Sequence, residues 1–242
     1  PSPPPDQVDL GQYEESMNGW GYGATLGILA RPLERLSLGA TLRTASSVKL
    51  NGEASISNLS YLGYNSTSDL ERDLTWPMWI GAGAAYKAME NLTLTADLQW
   101  TQWSRIDVVE TRFQDDFWQI MMAQSDNDQK PFHWEDTLQV RLGAEYRTEK
   151  FNFRGGFYID PSPAPDRTMT VLIPSYDYNV VTLGLGYNLN GLQLDFGLEY
   201  LMGKNRAVPA DRVANDPEWR SAMEGTYSMK VVVPNISISY KF

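Results

Sequence analysis

The segment Tyr227 to Phe242 constrains this chain more than any other. Read back from the C-terminus, Phe242, Tyr240, Ile238 and Ile236 alternate with Lys241, Ser239, Ser237 and Asn235. A period of two puts one apolar and one polar face on a single strand. The apolar face runs on to an aromatic last residue, which is how the closing strand of a transmembrane β-barrel ends, with its ring at the membrane interface. A helical membrane protein is excluded, because mean hydropathy is −0.39 and no apolar run approaches the roughly 20 residues a membrane helix needs.

The same alternation recurs along the chain. Trp20 to Arg31, Trp76 to Lys87, Thr137 to Arg147 and Tyr178 to Asn188 each run into a tight turn, such as Arg31-Pro32-Leu33-Glu34 or Asn188-Leu189-Asn190-Gly191. A strand that opens apolar-polar-apolar follows each turn: Leu36-Ser37-Leu38, Leu92-Thr93-Leu94, Phe151-Asn152-Phe153, Leu192-Gln193-Leu194. These are hairpins. The remaining connections, near 53–72, 111–134, 161–176 and 204–226, are long and polar. Short turns at one end and long loops at the other are the polarity of an outer-membrane barrel, and a soluble β-sandwich has no reason to sort its connections so. We therefore expect an all-β, antiparallel transmembrane β-barrel over residues 18–242, with about nine strands here and one short amphipathic helix in its extracellular loops. Residues 1–17, proline-rich and acidic without an apolar period, read as an extracellular loop remnant. Nine strands with the last one running inward would start the chain outside the cell. Because complete single-chain barrels have even strand numbers, the chain is expected to be the C-terminal part of a larger barrel.

Alternation also assigns facing. Leu92, Leu94, Ala96, Leu98 and Trp100 face outward, and Thr93, Thr95, Asp97 and Gln99 face the lumen; Arg43, Arg141, Glu145 and Arg154 count inward too. An Arg facing lipid at the midplane would cost about 2–4 kcal/mol, and the pattern puts none there. Inward charges are expected to satisfy one another. With no cysteine there is no disulfide framework or thiolate metal site, and a net charge of −10 argues against nucleic acid as partner.

Candidate sites lie in the loops and the lumen. Phe113, Phe117, Ile120 and Met121, at i, i+4, i+7 and i+8, have Trp118 and Met122 beside them and Gln114, Asp115, Asp116 and Gln119 opposite, which predicts an amphipathic helix of about three turns. Its apolar face either lines a groove for a greasy ligand or packs over a neighbouring part of the molecule. The loop Asp160 to Pro174, with four prolines and the apolar tip Val171-Leu172-Ile173, is either a rigid lid or a contributor of Leu172 and Ile173 to a lumenal pocket. Trp79, on the parity of Gly81 and Gly83, and Tyr158, beside Gly156, are the other expected pocket contacts. Trp76, Trp100, Trp103 and Trp134 read as an interfacial girdle. The single histidine, His133, sits between Phe132 and Trp134 with no serine motif near it, so no catalytic role is expected. The acidic loop residues Asp115, Asp116, Asp126 and Asp128 lack calcium-loop spacing, so no metal or other cofactor is expected.

With these residues in place the chain resembles the C-terminal portion of the FadL/TodX family of outer-membrane transporters for long-chain fatty acids and aromatic hydrocarbons. The resemblance is carried by Gly19-Trp20-Gly21-Tyr22-Gly23, Trp100-Thr101-Gln102-Trp103-Ser104, Trp134-Glu135-Asp136-Thr137 leading into Arg141, Gly143, Glu145 and Tyr146, then Asp160-Pro161-Ser162-Pro163-Ala164-Pro165-Asp166, and Val233-Pro234-Asn235. It implies a barrel of about fourteen strands plugged by an N-terminal hatch, with hatch and first strands outside this chain. It also implies location in the bacterial outer membrane and passive uptake of a hydrophobic small molecule, captured by extracellular loops, passed to a lumenal pocket and released sideways through the wall. The partners it implies are that ligand, outer-membrane lipid and lipopolysaccharide, the N-terminal segment of the same barrel, and the barrel-assembly machinery acting on the C-terminal strand. The alternative functions are a general porin and a structural or adhesive barrel component of a surface assembly.

Overall fold

A computed structural model of the protein describes residues 11–171, 173–189 and 191–240. The strands in chain order are β1 (Tyr13–Trp20), β2 (Thr25–Leu33), β3 (Leu36–Arg43), β4 (Ser46–Ile56), β5 (Thr67–Trp76), β6 (Trp79–Lys87), β7 (Leu92–Thr101) and β8 (Val108–Phe113). Helix α1 (Asp116–Gln124) comes next, then β9 (Gln129–Pro131), β10 (Thr137–Arg147), β11 (Phe151–Asp160), β12 (Tyr178–Leu189) and β13 (Leu192–Gly203). The chain finishes with β14 (Arg206–Val208), helix α2 (Ala210–Asn215), β15 (Gly225–Tyr227) and β16 (Lys230–Tyr240). No described helix is long and apolar enough to cross a membrane, which says nothing of crossing by strands.

The chain divides into two compact units. The larger, residues 24–44, 77–105 and 133–242, holds one antiparallel nine-stranded sheet in the order β16-β13-β12-β11-β10-β7-β6-β3-β2. Four hairpins stand where the sequence places them, the first with a shifted turn, and the register is continuous from Leu36↔Tyr86 through Tyr86↔Leu94, Leu94↔Ala144 and Tyr146↔Phe153 to Leu194↔Ile238. The period of two therefore holds across the whole wall. Leu38, Ile80, Leu98, Leu142, Phe157, Leu183, Phe196 and Ile236 all lie on one face and are all exposed, Leu98 by 50% and Ile236 by 77%. Such a surface would aggregate in water and is stable facing lipid. The opposite face carries Thr41, Gln99, Gln139, Arg154, Glu145 and Asp195. Phe242 and Lys241 fall outside the described residues, so the aromatic finish is represented by Tyr240, exposed on the lipid side.

Two sequence expectations shift here. The first hairpin turns at Glu34 and Arg35, with Pro32 inside an irregular register between Ala30 and Leu33, because proline cannot donate to the ladder. The stretch Trp20 to Arg31 is not one strand: β1 ends at Trp20, β2 starts at Thr25, and the two belong to different sheets.

The smaller unit, residues 1–23, 45–76 and 106–132, takes in the stretches near 53–72 and 111–132 expected to be loop. It is a five-stranded sheet, β1-β4-β5-β8-β9, and β1 begins at Tyr13, inside the stretch read as loop remnant. Val48, Leu50, Gly52, Ala54 and Ile56 do alternate, but the glycine and alanine among them are weakly apolar, and Lys49, Asn51, Glu53 and Ser55 on the other face make the segment read as polar. One face forms a core of Ala54, Ile56, Leu59, Leu70, Phe113, Trp118 and Met122. Charges ladder the other face, with Lys49 to Glu71 at 2.9 Å and Arg112 to Asp73 at 2.7 Å.

Candidate functional site

In the smaller unit, helix α1 is nine residues long and shorter than expected. Pairing of Leu70 with Phe113 and Glu71 with Arg112 draws Phe113 into β8 and out of the helix. Asp115 then caps the helix, its carboxylate accepting from the backbone N–H groups of Phe117 (3.0 Å) and Trp118 (3.2 Å). A hydrogen bond from Asn65, ahead of those from the backbone, holds the Asp115 carboxyl below its usual range. Starting at Asp116 turns Trp118 and Met122 into the core, with Phe117 and Met121 packed beside them, and leaves Ile120 58% exposed. Trp118 is fully buried and its ring N–H donates to the Asn65 carbonyl at 2.9 Å. Phe117 stacks on Tyr64 with ring centres 3.7 Å apart. Of the six apolar residues expected in or near a groove, Phe113, Trp118 and Met122 are core; Ile120 is exposed, and Phe117 and Met121 are half-buried.

In the larger unit, the polar face of β3, β6, β7 and β10 forms a groove of about 410 Å³. Trp79 stands in it over Gly81, with Gly83, Thr41, Thr95, Asp97, Gln99 and Arg141 lining the rest. The glycines explain the space: a Cβ on Gly83 would fall 2.0 Å from Asp97 Oδ1. Tyr158 pairs across the ladder with Arg141, whose guanidinium lies 5.7 Å from the Tyr158 ring centre. Tyr158 donates its hydroxyl hydrogen to Glu199 at 3.1 Å. Arg141 donates to the amide oxygens of Gln139 and Gln99, and Gln139 in turn donates to Asp160. Among the described residues Arg141 forms no ion pair with a carboxylate. Alternation alone did not find this cation as a site; its signal is an inward Arg opposite Tyr158.

Further along the same face the charges satisfy one another. Arg154 donates to Glu145 (2.6 Å) and to Asp195 (2.5 Å), Arg147 to Glu145 (2.5 Å), and Gln193 to Asp195 (2.7 Å). Arg154 reaches Asp195 across β12 only because Gly184 and Gly186 stand between them. A Cβ on Gly186 would lie 2.6 Å from Asp195 Oδ1.

The connections 161–177 and 204–229 share a second core of Met169, Tyr176, Val208 and Ala222. Ile173 is exposed, and Leu172 lies outside the described residues. Trp103 and Trp134 meet edge to face at 5.3 Å, and Trp100 faces the lipid side of β7. His133 has a left-handed backbone, φ 48°. No group of three or more His, Asp or Glu among the described residues is arranged to hold a metal.

Residues 9–242 match the family described as outer membrane protein transport protein (OMPP1/FadL/TodX). The chain belongs to that family. It is 25% identical over 204 residues to the long-chain fatty acid transport protein of Escherichia coli O6:H1, covering 76% of this chain and 43% of that protein. Its fold is similar to the crystal structure of a Pseudomonas aeruginosa FadL homologue (TM-score 0.74, 18% identity, 90% of this chain and 52% of that one). It is similar too to the Pseudomonas putida toluene transporter TodX (TM-score 0.63, 18% identity, 93% and 50%). The chain thus spans about half the length of the relatives it matches. As a FadL/TodX-family chain, it is an outer-membrane β-barrel protein of a transport family, and its nine-stranded sheet is barrel wall with the polar face toward the lumen.

Proposed function

We propose that the chain supplies wall and outer loops to a channel for passive uptake of hydrophobic small molecules, with long-chain fatty acids the favoured cargo over aromatic hydrocarbons, and that it catalyses nothing. The observation that carries this reading is Arg141 in the lumenal groove, partnered by amides and an aromatic face beside Trp79 and a glycine floor. A cation held by neutral oxygens can take a carboxylate without first breaking an ion pair, and Trp79 offers apolar surface to the chain behind it. The exposed Ile120, with the half-buried Phe117 and Met121, would serve first capture. The names of the similar proteins, a fatty acid transport protein and a toluene transporter, support the cargo class. The remaining wall strands and the hatch would come from the N-terminal segment of the same barrel, with lipopolysaccharide outside and the assembly machinery acting on β16.

The test is binding by detergent-purified protein. Arg141→Gln should weaken oleate binding about tenfold or more while toluene binding holds, and Trp79→Ala should weaken both. Wild-type protein that binds neither and conducts ions freely would establish a porin instead.

A further inference from the structure

Arg206, on β14, has a side chain only 11% exposed, and every acceptor it reaches lies in the other outer connection of the larger unit. Nε donates to Asp166 Oδ1 (2.8 Å), Nη1 to Ser162 Oγ (2.9 Å) and to the Ser175 carbonyl (2.7 Å), and Nη2 to the Ala164 carbonyl (2.7 Å). Ser162 and Ser175 stand at the two ends of that connection, their hydroxyl oxygens 2.8 Å apart, so the guanidinium closes its neck as well as holding it. The two connections meet again where Met223 N–H donates to the Met169 carbonyl at 3.0 Å, next to the core of Met169, Tyr176, Val208 and Ala222.

The first of these connections reaches the outer start of β10, where the Glu135 N–H donates to the Pro163 carbonyl at 2.8 Å, and buried inward side chains lie at this end of the polar face. Val180 points to the lumen, in the ladder row of Arg141 and Tyr158, and is fully buried. Thr101 and Thr137, paired on that face at the outer end of β7 and β10, are buried too.

We propose that Arg206 is the latch of a two-part cap: it binds residues 161–177 and 204–229 into one body that opens or closes the lumenal mouth as a whole. Moving one connection alone would strip a nearly buried guanidinium of all its acceptors at once. Moving both keeps those bonds and breaks only contacts to residues outside the pair, such as the Glu135 N–H to Pro163 carbonyl hydrogen bond at 2.8 Å. The proposal is independent of the cargo, so failure of fatty-acid binding would leave it standing.

The two connections carry their own tryptic sites, Arg167 in one and Arg212 and Arg220 in the other. In cells displaying the protein, with assembled barrels identified by heat-modifiable migration, Arg206→Ala should speed cleavage at Arg167 about tenfold or more, although the substitution lies in the other connection. Reciprocally, the milder pair Ser162→Ala with Asp166→Asn should speed cleavage at Arg212 and Arg220. Ion conductance of Arg206→Ala in planar bilayers should rise several-fold. Cleavage confined to the mutated connection in both variants, or conductance equal to the wild type's, overturns the proposal.

Discussion

At the scale of single residues, the face of its element decides what a side chain contributes. Trp118 and Ile120 are two residues apart on α1, hence on nearly opposite faces of the helix, and one is sealed in the core while the other is exposed. Trp118→Ala removes a large buried ring and leaves the Asn65 carbonyl without its donor, so it should cost about 3–5 kcal/mol of local stability. Ile120→Ala should change it by less than about 0.5 kcal/mol. Hydrogen exchange of the amides in 106–132 distinguishes the two. Gly186 is a second such position. Gly186→Ala would drive a methyl group against Asp195 and Asn152, and should cost about 1–3 kcal/mol by loosening the Arg154 bridge. A lower temperature for heat-modifiable migration, partly recovered by Asp195→Ser, would show it. Neither Gly186 nor Gly184 could be singled out from sequence, since only the ladder shows that Arg154 passes over them.

Elements were legible where alternation is strong on both counts, apolar outside and polar inside. All four hairpins of the wall were readable, because lipid demands a continuous apolar face. The end of β4, most of β5 and the end of β8 were read as loop because their outer face is charged and their inner face is only part apolar. The inner face carries its own ion pair, Glu15 to Arg72 at 2.9 Å, and Arg72 donates to Thr111 as well. That arrangement gives the smaller unit a pH dependence. The Arg72 guanidinium holds the Glu15 carboxyl below its ordinary value. A carboxyl depressed in the fold contributes stability that is complete above its unfolded pKa and is lost as pH falls through the folded one. Protection of β1 should therefore hold from pH 7 to about 5 and decline below about 4.5, with the decline flattened in Glu15→Gln. Tyr13, which donates to Glu15 at 2.8 Å, is pushed up to about 12 by partial burial and that carboxylate. Its contribution is complete below pH 10 and is lost as pH climbs toward 12. Amide exchange followed across both windows checks the two signs.

For the whole molecule, the division between lipid and lumen decides which substitutions the wall tolerates. Leu98→Arg, on the exposed apolar face, should cost about 2–4 kcal/mol, whereas Gln99→Arg, one residue on and pointing the other way, should cost under about 1 kcal/mol. Unfolding by urea in lipid vesicles would compare them directly. The wall, its facing and its family were readable from the residues alone, because they follow from a repeated local pattern. The two-unit division and the partners of Arg206 were not, since they depend on side chains that meet across dozens of intervening residues. The sorting of connections carries a further implication. Asp160 and Tyr178 face each other across the β11–β12 ladder, and Met202 and Lys230 across the β13–β16 ladder, so each of these two outer connections starts and finishes on one rung. A chassis of that kind lets inheritance swap recognition surfaces wholesale while the scaffold beneath them stays in step.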